Sequence, residues 1–92
     1  MASSVTALPT ADSALIDQFL DAIWMERGLS ENTLSSYRRD LVQYGIWLQA
    51  RASCLRTAGR EELQQHLAWR YTERLKASST ARLLSTLRGF YR

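Results

Sequence analysis

SENTLSSYRRDLVQYGIWLQA, residues 30–50, is the stretch whose reading decides the fold. Ser30 precedes ENTL, and Leu34, Tyr37, Leu41, Tyr44 and Leu48 then recur at steps of three, four and seven, the stripe of an amphipathic helix running to about Ala50. A hydroxyl just before such a stripe is a helix-capping signal. Projected at 100° per residue, the side opposite the stripe carries Asn32, Ser35, Ser36, Arg39 and Gln43, a small polar surface around one arginine. Gly45 lies inside the pattern at a cost of about 1 kcal/mol relative to alanine and marks close helix packing.

Outward from this helix the pattern repeats. Toward the amino terminus, residues 12–27 place Leu15, Ile16, Phe19, Leu20, Ile23 and Trp24 on one face, with Asp12 or Ser13 as the cap and Gly28 as the stop. Residues 1–11, beginning MASSVTALPT, have neither the basic start nor the apolar run of a signal peptide and read as a flexible tail. Toward the carboxyl terminus, RASCLRTAG breaks the period and reads as a loop, with Thr57 a cap for a third helix. Glu61 and Glu62 suit its first turn, and its expected core stripe is Leu63, Leu67, Tyr71 and Leu75. Ser78 and Ser79 open a fourth helix with the stripe Thr80, Leu84, Leu87 and Tyr91, widened by Leu83 and Phe90. Its outward line is Ser78, Arg82, Ser85 and Gly89, flanked by Ser79, Thr86, Arg88 and Arg92. With no strand alternation and no repeat, the class is all-α, a single helical domain over residues 12–92. The pattern reaches Arg92 with no stop signal, which predicts that the natural polypeptide continues.

Composition bounds what such a domain does. Ninety-two residues with 46% hydrophobic content fill one core and leave no room for a large buried active site. The net charge of +3 is unevenly spread: residues 1–32 carry −4 and residues 33–92 carry +7. Eleven of the twelve basic residues are arginine, the side chain whose fork matches phosphate oxygens and guanine edges, although a GC-rich genome gives the same bias. Cys54 is the only cysteine, so no internal disulfide forms and a reducing cytoplasm is expected. No run approaches the roughly 18 apolar residues of a membrane span.

Catalysis and metal binding find no support in these residues. His66 and Cys54 are each the only one of their type, so no zinc set or Cys-His pair assembles, and His66 reads as a surface residue. Gly28, Gly45, Gly59 and Gly89 are isolated and form no phosphate-binding loop. Trp24, Trp47 and Trp69 read as core or rim packing rather than stacking platforms for bases. No catalytic residue, cofactor, metal, small-molecule substrate or membrane is expected. What stands out is the match between the second and fourth helices. Both present short hydroxyls around an arginine, and both begin at a serine where unpaired N–H groups suit a phosphate. The alternative is an ordinary solvated face, with Ser30 and Ser78 only capping; the chain would then be a helical protein-interaction module whose acidic first helix does the work.

Two strings add a resemblance. IDQFLDAIWMERGLSENTLSSYRRDL (residues 16–41) and SSTARLLSTLRGFYR (residues 78–92) resemble the core-binding domain of Xer-type site-specific tyrosine recombinases, the first string its XerD-like branch in particular. The resemblance implies a SAM-like orthogonal four-helix bundle that closes on duplex DNA together with a separate catalytic domain, and that lays its second and fourth helices across the major groove. Thr33, Ser35, Ser36 and Arg39 would then meet DNA from the second helix, with Arg38 secondary, and Ser78, Ser79, Arg82 and Thr86 from the fourth, with Arg88 on its flank. The acidic first helix would face a neighbouring recombinase. Strand cleavage by a tyrosine nucleophile belongs to the catalytic domain, so Tyr37, Tyr44, Tyr71 and Tyr91 are not read as that nucleophile. The implied partners are a dif-like duplex and, through the full-length protein, an XerC-like recombinase and an FtsK-like translocase. A phage or mobile-element integrase shares the fold and is the alternative within the resemblance.

Overall fold

The computed structural model describes residues 8–92, which form four helices: α1 Thr10–Arg27, α2 Glu31–Gln49, α3 Arg60–Thr72 and α4 Ala77–Phe90. The helix count, their order and the all-α class are those the periodicity predicts. Residues 1–7 of the expected tail lie outside the described residues, and α1 takes in Thr10 and Ala11, which the sequence assigns to that tail.

Pro9, not Asp12 or Ser13, occupies the capping position of α1. Asp12 is instead buried within the first turn, and its carboxylate accepts a hydrogen bond from the Leu55 amide at 3.2 Å. The far end behaves as read: Gly28 takes the left-handed conformation at φ 60° and its N–H returns to the Trp24 carbonyl. Ser30 then caps α2, its Oγ accepting from the Thr33 amide at 3.2 Å. With only residues 28–30 between them, α1 and α2 pack side by side, and Ile16, Leu20 and Ile23 join Leu41, Tyr44 and Leu48 in one core.

The loop over residues 50–59 is more than a connection. Leu55 is fully buried, its amide held by Asp12 of α1 and its carbonyl by the Tyr91 hydroxyl, which donates at 2.6 Å. Leu55 and Leu8 also explain Gly45. A Cβ there would stand 2.6 Å from the tip of Leu8 and 3.5 Å from Leu55, so the glycine admits the chain start and the loop rather than a neighbouring helix. Gly59, not Thr57, precedes α3. Its amide donates to Glu62 Oε1 at 2.8 Å, which draws that carboxyl below its ordinary pKa, while Thr57 pairs with the Cys54 sulfur. The same Thr57 contact lowers the pKa of the Cys54 thiol.

Two helices are rotated relative to expectation. In α3 the inward residues are Leu63, His66, Leu67 and Arg70, whereas Tyr71 is 87% exposed and Leu75 falls in the turn after the helix. Aromatic packing sets this phase: the His66 ring lies 4.9 Å from Tyr44, 4.7 Å from Trp47 and 5.5 Å from Trp69. His66 is therefore a core residue and not a surface one. Burial, with Arg70 and Arg51 adding repulsion, lowers its pKa to about 4, so the ring is neutral at pH 7. In α4 the buried set is Leu83, Thr86 and Leu87, with Leu84 only half-buried. Phe90 meets Phe19 of α1 edge-to-face at 5.5 Å and turns the helix toward α1.

Candidate nucleic-acid interface

The link between α3 and α4 fixes how α4 begins. Arg74 takes a left-handed φ of 59°, the Leu75 amide reaches back to the Arg70 carbonyl and the Arg74 amide to Tyr71, which closes α3 in a Schellman turn without glycine. Arg70, buried with its Nε donating to Thr80 Oγ1 at 2.8 Å, then ties the end of α3 to the first turn of α4. Lys76 precedes that turn and no side chain caps it, in contrast to α2, where Ser30 does. The leading amides of α4 are therefore open to an anion.

One turn further on, α4 meets α2. Arg82 Nε donates to Asp40 Oδ2 at 2.8 Å and its second nitrogen to Oδ1 at 2.9 Å, a two-pronged pair whose carboxylate is buried and whose guanidinium is 39% exposed. Asp40 raises the pKa of Arg82 further. Ser36 and Gln43 flank Asp40 along α2, with Arg39 beside them, and Ser78 and Ser79 lie one turn before Arg82. The fork thus joins the two polar faces into one surface. Ser35 and Arg39 are exposed and Ser36 half-buried on α2; Ser78 is exposed and Ser79 half-buried on α4. Thr33 is half-buried at the start of α2, its hydroxyl accepting from Ser30.

Three predicted positions go elsewhere. Thr86 is buried and its hydroxyl donates to the Arg82 carbonyl, so it is no surface contact; on the outward line drawn for α4, Ser85 is exposed but the end of the helix beyond it packs on α1. Gly89 shows the same thing, since a Cβ there would touch the Phe19 ring at 3.5 Å. Arg38 turns toward α1 and pairs with Asp17 at 2.8 Å. Arg88 lines a groove with Arg60, Leu63 and Tyr91 on the α3 side of α4. Sequence reasoning missed Asp40 and the Arg70–Thr80 contact. Burying the Asp40 carboxylate is costly without a cation and Arg82 supplies one, but nothing in the local pattern of α2 marks that pairing.

Among the described residues no three His, Cys, Asp or Glu side chains gather as a metal requires, and no helix is long and apolar enough to cross a membrane. What the surface offers is hydroxyls, open amides and oriented guanidinium groups, chemistry suited to phosphate and base edges.

A protein-family model described as phage integrase, N-terminal SAM-like domain, matches residues 16–92. The chain belongs to this family. Among its relatives in the SAM-like domain family, the tyrosine recombinase XerD of Pseudomonas putida is 54% identical over 85 residues and that of Pseudomonas aeruginosa 52% identical over 85 residues. Each alignment covers 92% of this chain and 28% of the relative. XerD of Xanthomonas campestris is 43% identical over 90 residues, 98% of this chain and 28% of the relative. The chain thus spans little more than a quarter of the length of the recombinases it matches, and its SAM-like match corresponds to an amino-terminal domain. No solved structure matches it.

Proposed function

We propose that this chain is the DNA-gripping core-binding domain of an XerD-like site-specific tyrosine recombinase, holding a dif-type recombination site during chromosome dimer resolution in the cytoplasm. The observation that carries this reading is the Arg82–Asp40 fork, which brings the serine- and arginine-bearing faces of α2 and α4 onto one surface of a SAM-like domain. In the mechanism proposed here the duplex lies along that surface. The open amides at the start of α4, with Ser78, Ser79 and Ser36, take phosphate oxygens, and Arg39 and Arg82 reach toward base edges. Thr33 and Ser35 complete the contact from the first turns of α2. The chain contributes grip and register; DNA cleavage and rejoining belong to the parent recombinase, acting with an XerC-like partner and an FtsK-like translocase.

Fluorescence anisotropy of a labelled dif-type half-site duplex, with a scrambled duplex as control, tests the reading. Neutralising several phosphates predicts log K falling against log salt at a slope of about −0.9 per phosphate contacted, and tighter binding to the half-site. No binding to either duplex at low salt contradicts it.

A further inference from the structure

We infer that Asp40 is a positioning residue for DNA recognition, holding the Arg82 guanidinium so that one edge is fixed inward and the other is presented to a base; this rests on the DNA-binding reading above. A free arginine side chain is among the most mobile on a protein surface, and ordering it on a base costs the binding free energy. Here that ordering is already in place. Both oxygens of a buried carboxylate grip the Nε edge of Arg82 at 2.8 and 2.9 Å, and the backbone beneath is tied through Thr86, whose hydroxyl donates to the Arg82 carbonyl at 2.9 Å. The guanidinium has five N–H donors, and this fork uses two of them. The opposite edge, with both terminal nitrogens, retains two parallel N–H bonds, the geometry that matches O6 and N7 of guanine. Asp40 places a negative charge on the side of the domain proposed to approach a polyanion, which opposes binding in general. Its benefit therefore lies in discrimination rather than affinity.

This gives a signature that a purely structural ion pair lacks. In Asp40→Asn the negative charge is removed and the two-pronged grip is lost. Binding to a scrambled duplex should hold or tighten, while binding to the dif-type half-site weakens about tenfold, so that the ratio between the two collapses. Arg82→Lys supplies an independent arm, because it keeps both charges of the pair but has no second edge to present; it should lose the same preference with the salt slope unchanged. The double variant Asp40→Asn with Arg82→Lys should lose no more preference than either alone. Thermal melts of each variant establish that it is folded, and should Asp40→Asn not fold, Arg82→Lys carries the test. Folded variants that bind both duplexes with the wild-type ratio overturn the positioning role. A wild-type chain that binds neither duplex overturns the DNA-binding reading, and one that binds both equally overturns base recognition through Arg82 alone.

Discussion

Arg38 of α2 and Arg82 of α4 are each paired with an aspartate on another helix, and the pairs differ in kind. Arg38 meets Asp17 of α1 through one nitrogen at 2.8 Å, with both side chains about half exposed. Arg82 meets Asp40 of α2 through two nitrogens, and that aspartate is buried. Solvent screens the first pair and side-chain entropy offsets most of its attraction, so it holds neither helix nor side chain firmly. In the second, the buried carboxylate has no alternative partner in water, and separating the pair strands a charge. The contrast teaches that position on a helical wheel does not by itself make an arginine available: the environment of its partner decides whether it is held, and in which direction.

The largest effect bearing on this contrast is loss of the core that carries Asp40. Leu41, adjacent to it, is fully buried, and Leu41→Ala should destabilise the domain by about 2 to 5 kcal/mol in a denaturant melt. A smaller loss would place Leu41, and with it the Asp40 side of α2, outside the core. Next comes pH. His66 titrates near 6.5 when unfolded and about 4 when folded, so its contribution is fully present above pH 6.5 and is lost as the pH falls toward 4. The loss should reach at most about 3 kcal/mol, read as the difference between wild type and His66→Phe across that window. Parallel profiles would contradict a buried neutral ring. Arg82→Ala, which strands Asp40, should cost about 2 kcal/mol, moderated because the arginine is partly exposed, whereas Arg38→Ala should cost no more than about 0.5 kcal/mol. Equal melting temperatures for the two variants would erase the distinction between the pairs. A further small effect has the opposite sign. Ala52 and Arg74 both sit at left-handed φ, 60° and 59°, and Ala52→Gly or Arg74→Gly should raise stability by about 0.5 to 1 kcal/mol.

These residues also show what the sequence makes legible. The α1–α2 half was readable because its signals are local: Gly28 stops one helix, Ser30 caps the next, and Leu34 to Leu48 keep strict period. The end of α2 near Ala50 is legible as well, but the end of α3 is not, since Arg74 closes its Schellman turn without the glycine that marks one. The phase of α3 was misread because its inward positions include His66 and Arg70, polar types that periodicity assigns to solvent; ring packing on Tyr44 and Trp47 and a bond to Thr80 retain them inside. On α4 the polar line was read as one surface over its whole length, but Gly89 and Thr86 are small so that α1 can approach. Smallness serves a phosphate and a packed helix equally, and only the tertiary contact distinguishes them. Arg82 was identified from its pattern and Asp40 was not, because a residue 42 positions away leaves no periodic trace.

The most direct test sets Arg82→Ala beside Arg38→Ala in anisotropy titrations on the dif-type half-site and its scrambled counterpart at several salt concentrations. Arg82→Ala should weaken half-site binding about tenfold and remove the preference for it, while Arg38→Ala should keep the preference and change the salt slope by at most about one. Equal losses in the two variants, or none in either, would contradict a DNA surface organised around the Arg82–Asp40 fork.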